Sequence, residues 1–219
     1  MKRLVIIGIL IYCGSCSITN SIIDKPIQFD EERIALTKSY IKTRYGLEKE
    51  SIKITPKMIV LHWTAIPTFE GSYDAFYKTK LPSWRPDIEN VSGLNVSTHF
   101  LVDKDGTIYR MMPENYMGRH VIGLNYSAIG IENVGGIEES PLTKQQLKAN
   151  IKLVKYLARK YDIDYLIGHY EYTNFEGHPL WLEVDKGYRT KKTDPGEDFM
   201  EKVRAATKNF NFTSVPAKN

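Results

Sequence analysis

Histidine is the residue type in this chain that is best suited to carry catalysis. The sequence holds five His and only two Cys, Cys13 and Cys16. Both cysteines stand near the amino terminus, which excludes a disulfide framework and a zinc site built from clustered cysteines. Glycine-rich phosphate loops of the GxGxxG or GxxxxGKS/T type are also missing from the sequence. Any metal site must therefore use histidines and carboxylates.

Two of the histidines stand at the ends of predicted strands. His62 interrupts an apolar run over residues 57–63, where strand alternation puts it on the same face as Val60. His169 follows a short strand predicted over residues 165–168. One histidine in such a position is more often structural than a ligand. Two with a carboxylate are a better indication, because a catalytic zinc takes three protein ligands and leaves a fourth position for water.

The candidate third ligand is Asp194, in the segment KKTDPG. Asp-Pro-Gly alone is a turn or helix-start pattern, so Asp194 could instead cap a last helix that has Pro195 at its first position. Lys192 stands two residues earlier and would project toward the same centre if the segment is extended. Both interpretations of Asp194 remain open at this point.

Glu132 is the carboxylate whose surroundings call most for an explanation. It lies in an otherwise apolar strand predicted over residues 128–134, on the same face as Gly130, whose missing side chain leaves room beside it. A glutamate in such a strand is costly unless it is paired, exposed or functional. Glu132 is therefore either a general base near the metal or the structural partner of a nearby cation.

Helices with clear capping patterns frame these residues. Asp30 is a good N-cap for a first helix that ends at Gly46. Thr143 with Gln146 forms a capping box, and the helix that follows has the strongest pattern in the chain. Its apolar residues recur at spacings of 4, 3, 4 and 3, which predicts a buried face made of Leu147, Ile151, Val154, Ala158 and Tyr161.

The remaining strands and helices define the fold class. Predicted strands over residues 98–102 and 107–112 flank an Asp-Gly turn, which indicates a hairpin. A short helix is predicted over residues 73–78. Because strands alternate with helices along the chain, the sequence predicts an α/β fold with a central mixed β-sheet flanked by helices.

The amino terminus is typical of export. Residues 1–15 carry two cations and a short apolar run, as a signal peptide does, and this run is too short to span a bilayer. The Gly-Ser-Cys that ends the segment resembles a bacterial lipobox, so we expect Cys16 to be acylated and to anchor the protein to a bacterial membrane on its periplasmic side. A cleaved secretory signal without a lipid is the alternative.

The rest of the chain is expected to form one domain. Residues 16–29 are interpreted as a tether, residues 30–210 as the single domain and residues 211–219 as a carboxyl-terminal tail. The formal charge is +4, and it becomes +2 without Lys2 and Arg3 of the export signal. Such a small, evenly spread charge excludes nucleic acid as the expected partner.

Five segments, in order, carry a resemblance to a known family. They are IVLHWT (residues 59–64), STHFLVDKDGTIYRMMPE (97–114), GRHVIGLNYSAIGIENVGG (118–136), IGHYEY (167–172) and KTDPG (192–196). Together they resemble the zinc-dependent N-acetylmuramoyl-L-alanine amidases of type 2, which share their fold with T7-type phage lysozyme and the peptidoglycan recognition proteins. The resemblance runs from about residue 57 to about residue 200. The 24 residues between His169 and Asp194 are more than many members carry, and they have no assigned role.

The resemblance implies a role for each matching residue. It makes His62, His169 and Asp194 the ligands of one Zn²⁺ per chain. It makes Glu132 the carboxylate that handles protons and Lys192 the cation that stabilises the oxyanion. Three further residues match the lining of the substrate cleft and are expected to contact substrate without binding metal: His99, His120 and Asn125.

The resemblance also implies a reaction. The expected activity is hydrolysis of the amide bond between N-acetylmuramic acid and L-alanine in peptidoglycan or in muropeptides, by a monomer. One alternative is a peptidoglycan-binding module that keeps the fold without the reaction, although all three ligand positions hold competent residues here. The other is a zinc peptidase that cuts within the stem peptide, which would need the same ligands and a different groove.

Overall fold

The computed structural model describes residues 21–82 and 92–218. The predicted export signal over residues 1–15 and the predicted lipidation site Cys16 lie outside this part of the chain. Within the described part, no helix combines the length and the apolar character needed to cross a membrane.

Strands from across the described residues assemble into one mixed sheet of six. They are β1 (Ile22–Asp24), β2 (Met58–Leu61), β3 (Phe100–Val102), β4 (Ile108–Arg110), β5 (Ala128–Asn133) and β6 (Tyr165–Gly168). Their order across the sheet is β1-β4-β3-β5-β2-β6. The hairpin partners β3 and β4 are antiparallel, and the other neighbours are parallel. The predicted α/β fold with a central mixed sheet is confirmed.

Four α-helices flank this sheet in the described residues. They are α1 (Glu31–Tyr45), α2 (Phe69–Tyr77), α3 (Lys144–Lys160) and α4 (Glu197–Thr207). Two short 3₁₀ helices, His169–Phe175 and Lys208–Phe210, follow β6 and α4. The predicted caps of α1 are confirmed: the Asp30 side chain accepts a hydrogen bond from the Arg33 N–H, and Gly46 ends the helix at a φ of 65°.

The start of α4 differs from the prediction. Pro195 was expected at its first position, but the helix begins at Glu197 with Gly196 as its N-cap. Gly196 has a φ of 88°, a conformation outside the right-handed helical region, so the helix cannot extend back through it. Asp194 is therefore not the cap of this helix, and its side chain is available for another role.

The buried face of α3 is more polar than its apolar pattern predicted. The capping box of Thr143 and Gln146 is present, as expected. Gln146 is fully buried and its amide donates hydrogen bonds to the carbonyls of Val102 and Val134. Leu147 and Ile151 are only partly buried and pack at the edge of the core. Gln146 can occupy this buried position because its amide donates hydrogen bonds to strand carbonyls at the end of the sheet.

The two faces of the sheet have different coverings. On one face, Ile59, Leu61 and Ile131 pack with residues of α3 and α4 into an apolar core. On the other face, Val60 and Ile167 pack against the loop and 3₁₀ segments around residues 121–124 and 172–175. Side chains alternate along β2, so His62, one residue beyond its end, falls on this second face. The second face therefore carries the candidate site.

Both ends of the predicted domain extend further than expected. The tether was predicted to reach residue 29, but Ile22–Asp24 form β1, which pairs in parallel with β4 at the sheet edge. The predicted tail is also attached, since the Thr213 N–H donates to the Asp164 carbonyl and the Asn174 amide donates to the Pro216 carbonyl. A three-residue edge strand is too short to show a periodic pattern, which explains the missed boundary.

Candidate metal centre

The strand register brings three of the predicted residues side by side. Leu61 of β2 is paired with Gly168 of β6 and with Ile131 of β5, and all three strands are parallel. The next residues along these strands are His62, His169 and Glu132. Residues at equivalent positions of parallel strands point to the same face of the sheet. The carboxyl ends of three neighbouring strands therefore present these side chains together, at the edge where open α/β sheets bind ligands.

His62, His169 and Asp194 converge on one point. The Nδ1 atoms of the two histidines lie 2.9 Å apart, and Asp194 Oδ2 lies 3.2 Å from His62 Nδ1 and 3.0 Å from His169 Nδ1. All three side chains are buried. The segment that carries Asp194 is held beside the start of the 3₁₀ helix because the Tyr170 N–H donates to the Asp194 carbonyl.

This donor set fits a divalent metal. The three residues form the one His/Cys/Asp/Glu cluster with metal-binding geometry that was found among the described residues. Ligands about 2.0–2.1 Å from a tetrahedral zinc lie about 3.3 Å from one another, and the observed separations of 2.9 to 3.2 Å are close to that value. Two imidazoles and one carboxylate are also the ligand types of catalytic zinc sites with an open fourth position. The site can therefore hold a metal ion.

The protonation states in the cluster also suit a metal. Burial and the neighbouring His169 lower the pKa of His62 to about 4. Burial and the nearby rings of His62 and His99 lower the pKa of His120 well below its usual value. Burial alone would raise the pKa of Asp194, but His169 and His62 hold the pKa of this carboxyl far below its usual range. A neutral His62 imidazole and an ionised Asp194 carboxylate are the forms that bind a cation.

His120 contacts the His62 ring on the side that faces away from the other two candidate ligands. Its Nδ1 lies 3.1 Å from His62 Nε2, the nitrogen that faces away from the cluster. A partner on the second ring nitrogen of a metal-binding histidine fixes the orientation of the ring. Gly130 makes this arrangement possible, because a Cβ at that position would lie 2.8 Å from the His120 ring. The room predicted beside Glu132 is thus occupied by an imidazole.

A cavity of about 250 Å³ opens beside two of the candidate ligands, His169 and Asp194. Glu132 and Lys192 line it together with His169 and Asp194. Glu132 is 8% exposed, at the end of an apolar strand. The structure therefore brings the predicted catalytic carboxylate and cation into a cavity that two of the three candidate metal ligands also line.

His120, His99 and Asn125 were all predicted to contact substrate. His120 does line the cavity. The prediction for His99 is wrong because its side chain is fully buried, with Nε2 on the Tyr116 carbonyl and Nδ1 accepting from the Gly130 N–H. Burial also lowers the pKa of His99 to about 4.

Asn125 positions the neighbouring backbone and also lines a cavity next to the candidate centre, so its predicted contact with substrate stays a prediction. Its Oδ1 accepts hydrogen bonds from the backbone N–H groups of His120 and Val121, and its amide donates to the Tyr45 hydroxyl. With these atoms committed inside the protein, Asn125 holds the loop that carries His120. For His99, position within a motif could not show that the residue is buried, because burial depends on which loops cover it.

Residues outside the family-like segments also reach the cleft. Tyr40 of α1, together with Tyr188 and Thr190 of the segment between His169 and Asp194, lines a smaller cavity beside the centre. No pattern in the sequence pointed to these three residues, because their place depends on how the two segments pack.

Comparison with known proteins gives the same family as the sequence resemblance. A family model described as N-acetylmuramoyl-L-alanine amidase matches residues 53–197. The structure of the N-acetylmuramoyl-L-alanine amidase LysC from Clostridium intestinale URNW is 26% identical, with a TM-score of 0.53, and the match covers 88% of this chain and 98% of that chain.

Two curated relatives match over shorter stretches. Peptidoglycan recognition protein 3 of Mus musculus is 28% identical over 129 residues, which are 56% of this chain and 36% of that protein. The endolysin of Escherichia phage T7 is 32% identical over 83 residues, which are 36% of this chain and 55% of the endolysin. The chain thus spans between a third and somewhat over half of the length of these relatives. Since the family model covers more than half of this chain and every residue of the candidate centre, the chain belongs to the N-acetylmuramoyl-L-alanine amidase family.

Proposed function

We propose that this protein hydrolyses the amide bond between N-acetylmuramic acid and L-alanine in peptidoglycan or muropeptides, with one Zn²⁺ per chain. The observation that carries the proposal is the convergence of His62, His169 and Asp194 on one point. Two of these residues, His169 and Asp194, line one cavity together with Glu132 and Lys192. Membership of the amidase family supports the reaction. The donor set supports zinc, because imidazole and carboxylate ligands in a three-residue group suit it.

His62 and His169, through their Nδ1 atoms, and Asp194, through Oδ2, would hold the ion. Bound zinc supplies Lewis-acid chemistry, since it makes water more acidic and polarises a carbonyl group. His120 keeps the His62 ring in place through its contact with Nε2.

Glu132 is proposed to carry out the proton transfers of the hydrolysis. A carboxylate at the wall of the cavity can take a proton from the attacking water and later deliver it to the departing amine of L-alanine. Glu132 is 8% exposed, so its carboxylate is largely shielded from bulk water. The same group thus serves as base in the first step and as acid in the second.

Lys192 is proposed to stabilise the negative charge that develops on the carbonyl oxygen of the amide. A cation contributes to catalysis when it interacts more strongly with the transition state than with the neutral substrate. Lys192 is half-buried and lines the cavity next to His169 and Asp194, where water screens its charge less than at the surface. Its contribution should therefore appear mainly in the rate of the chemical step.

The direct test is mass analysis of muropeptides after digestion by the purified, zinc-loaded protein. The proposal expects free L-alanine amino termini together with glycan that has lost its peptides. New carboxyl termini within the stem peptide would instead identify a peptidase. Tight binding to wall material without new termini would identify a non-catalytic binding module.

We also propose that the protein acts as a monomer at the bacterial cell envelope, exported and anchored in the membrane through a lipid on Cys16. The support is the pattern of the first 16 residues, which resembles a lipoprotein signal. Metabolic labelling with a fatty-acid analogue should mark the wild type and leave Cys16→Ser unmarked. Equal labelling of both would reject the anchor, and sedimentation of the folded domain tests the monomer.

A further inference from the structure

A second cavity of about 110 Å³ adjoins the metal centre. We call it the side cavity; Arg119, His169 and Lys192 line both it and the larger cavity. Its outer wall comes from Tyr40 of α1 and from Thr190 of the segment between His169 and Asp194. The family resemblance implied no role for Tyr40 or for Thr190.

Arg119 provides a strong hydrogen-bond donor in this cavity. The residue is 3% exposed, its Nη1 donates to the Leu94 carbonyl, and its guanidinium carbon lies 5.2 Å from the centre of the Tyr40 ring. Its Nη2 is buried and has no hydrogen-bond partner among the described residues. Buried guanidinium donors are normally paired, because an unpaired one loses its hydration without compensation.

Thr190 provides a second group of the same kind. Its Oγ1 is buried and has no partner in the described part of the chain. The backbone of Thr190 is fixed on both sides, since its N–H donates to the Tyr172 hydroxyl, which in turn donates to the Thr190 carbonyl. The backbone of this cavity-lining residue is therefore held in place, while its hydroxyl makes no bond within the described part of the chain.

The segment that carries Thr190 is anchored firmly. Glu183, whose side chain is fully buried, forms an ion pair of 2.8 Å with Arg44 of α1. Trp181 packs on Gly123, where any Cβ would clash with the indole ring, and its Nε1 donates to the Glu183 carbonyl. The side cavity is thus a built feature of the fold.

The positive charge of the side cavity favours an anionic ligand. Among the described residues that line it, the charged side chains are Arg119 and Lys192, and none is an Asp or Glu. A positive pocket with unpaired donors favours a group that is negative and accepts hydrogen bonds, and arginine pairs with carboxylates in this way. The volume suits a small group and excludes a sugar ring.

We propose that the side cavity binds a carboxylate of the substrate, namely the first free carboxylate that the stem peptide carries beyond L-alanine. This inference rests on the proposed amidase function. Because the side cavity shares His169 with the metal centre, its occupant must lie close to the amide that is cleaved. The segment between His169 and Asp194 then contributes to specificity, because it favours peptides that carry this carboxylate.

The test compares two muramoyl-dipeptides that differ only in this carboxylate, which is free in one and a carboxamide in the other. The wild type should cleave the free acid with a kcat/KM at least about 10-fold higher. Arg119→Met should reduce this preference by about 10- to 100-fold and Thr190→Val by about 3- to 10-fold, mainly through KM for the acid. Lys191→Met removes an exposed neighbouring charge and serves as the control, with the preference unchanged.

Thr190→Val keeps the test decisive if Arg119→Met does not fold. It preserves shape and removes a hydroxyl that makes no bond within the protein, so the thermal midpoint should not fall. Equal kcat/KM for the two substrates, or a preference that both variants retain, would overturn the inference. If neither substrate is cleaved, calorimetric binding of the two compounds separates the questions: a preference for the acid that Thr190→Val loses would support the side cavity while the proposed reaction fails.

Discussion

Among the buried groups of ionisable side chains in the described residues, the cluster around Glu114 and the candidate metal centre differ in the partners of their carboxylates. Glu114 is 4% exposed, and both of its oxygens have donors. Lys160 Nζ lies 2.5 Å and the Tyr161 hydroxyl 2.9 Å from Oε2, while the Tyr156 hydroxyl and Arg110 approach Oε1 at 3.3 and 3.4 Å. Donors within the protein therefore serve both oxygens of the Glu114 carboxylate, which is typical of a structural ion pair.

The metal centre has the opposite character. Its three ligand atoms face one another at 2.9 to 3.2 Å. The cavity beside Glu114 is about 450 Å³ and that beside the metal centre about 250 Å³, so size alone would select the wrong place. Converging ligand atoms identify the functional site better than cavity volume, because they show where the protein needs a partner that it does not itself supply.

The largest expected effect follows from removal of a metal ligand. His62→Ala, His169→Ala or Asp194→Ala should each lose most bound zinc and lower amidase turnover by at least about 10³-fold, since a three-ligand site has no spare donor. Zinc content by elemental analysis and turnover on a muropeptide measure the two effects. The variants should remain folded, because the apolar core on the opposite face of the sheet does not include these residues.

His178→Ala is the matched control for the ligand variants. His178 contacts the Tyr165 hydroxyl and takes no part in the metal-binding group. It should keep full zinc occupancy. A ligand variant with the zinc content of the wild type would show that the assignment is wrong.

Glu132→Gln should have the next largest effect. The change keeps the size of the side chain and removes the base, so turnover should fall by roughly 10² to 10⁴ while zinc content and the thermal midpoint stay close to those of the wild type. Glu138→Gln, on an exposed residue beyond the same strand, is the control and should leave turnover unchanged. Turnover near that of the wild type in Glu132→Gln would show that Glu132 has a structural role.

Lys192→Met should have a smaller effect on the same reaction. Methionine keeps most of the apolar stem and removes the cation, so kcat should fall by about 10- to 1000-fold if the charge meets negative charge only in the transition state. The carboxamide substrate is the appropriate one, because it lacks the carboxylate that the side cavity is proposed to bind. An effect confined to KM would show that Lys192 binds the ground state instead of assisting the chemical step.

The sequence indicated that His62, His169 and Glu132 lie together because the last residues of neighbouring parallel strands meet at one edge of a sheet, whereas the residues alone left Asp194 as either a ligand or a helix cap. A histidine directly after each of two strands, and a glutamate near the end of a third, must meet at one edge when those strands are neighbours. The capping residues Asp30 and Thr143 likewise act through contacts three residues away, which are visible in sequence.

The parts that the sequence could not predict depend on contacts between distant segments. The space beside Gly130 is filled by His120 from a loop, and His99 is covered by the chain around Tyr116. The side cavity needs α1 and the segment that carries Thr190 to pack together. Neither periodicity nor capping reports such packing, so burial of these residues became apparent only in the structure.

The smallest expected effect tests the structural half of the comparison. Glu114→Gln preserves shape but removes the charge that Lys160 and Arg110 face, and one oxygen that accepted hydrogen bonds becomes a donor. Lys160 is 44% exposed, so water screens much of this ion pair. The free energy of unfolding should fall by only about 1–2 kcal/mol, which lowers the thermal midpoint by roughly 2–8 °C.

Catalysis should not respond to this change. Zinc content and kcat of Glu114→Gln should equal those of the wild type, because Glu114 lines a cavity that shares no residue with the one beside the metal ligands. Glu48→Gln is the control: its pair with Lys42 is exposed, with side-chain exposures of 79% and 65%, so the thermal midpoint should not move measurably. A loss of turnover in Glu114→Gln without unfolding would show that the two clusters are coupled, and the division into a structural and a functional cluster would then fail.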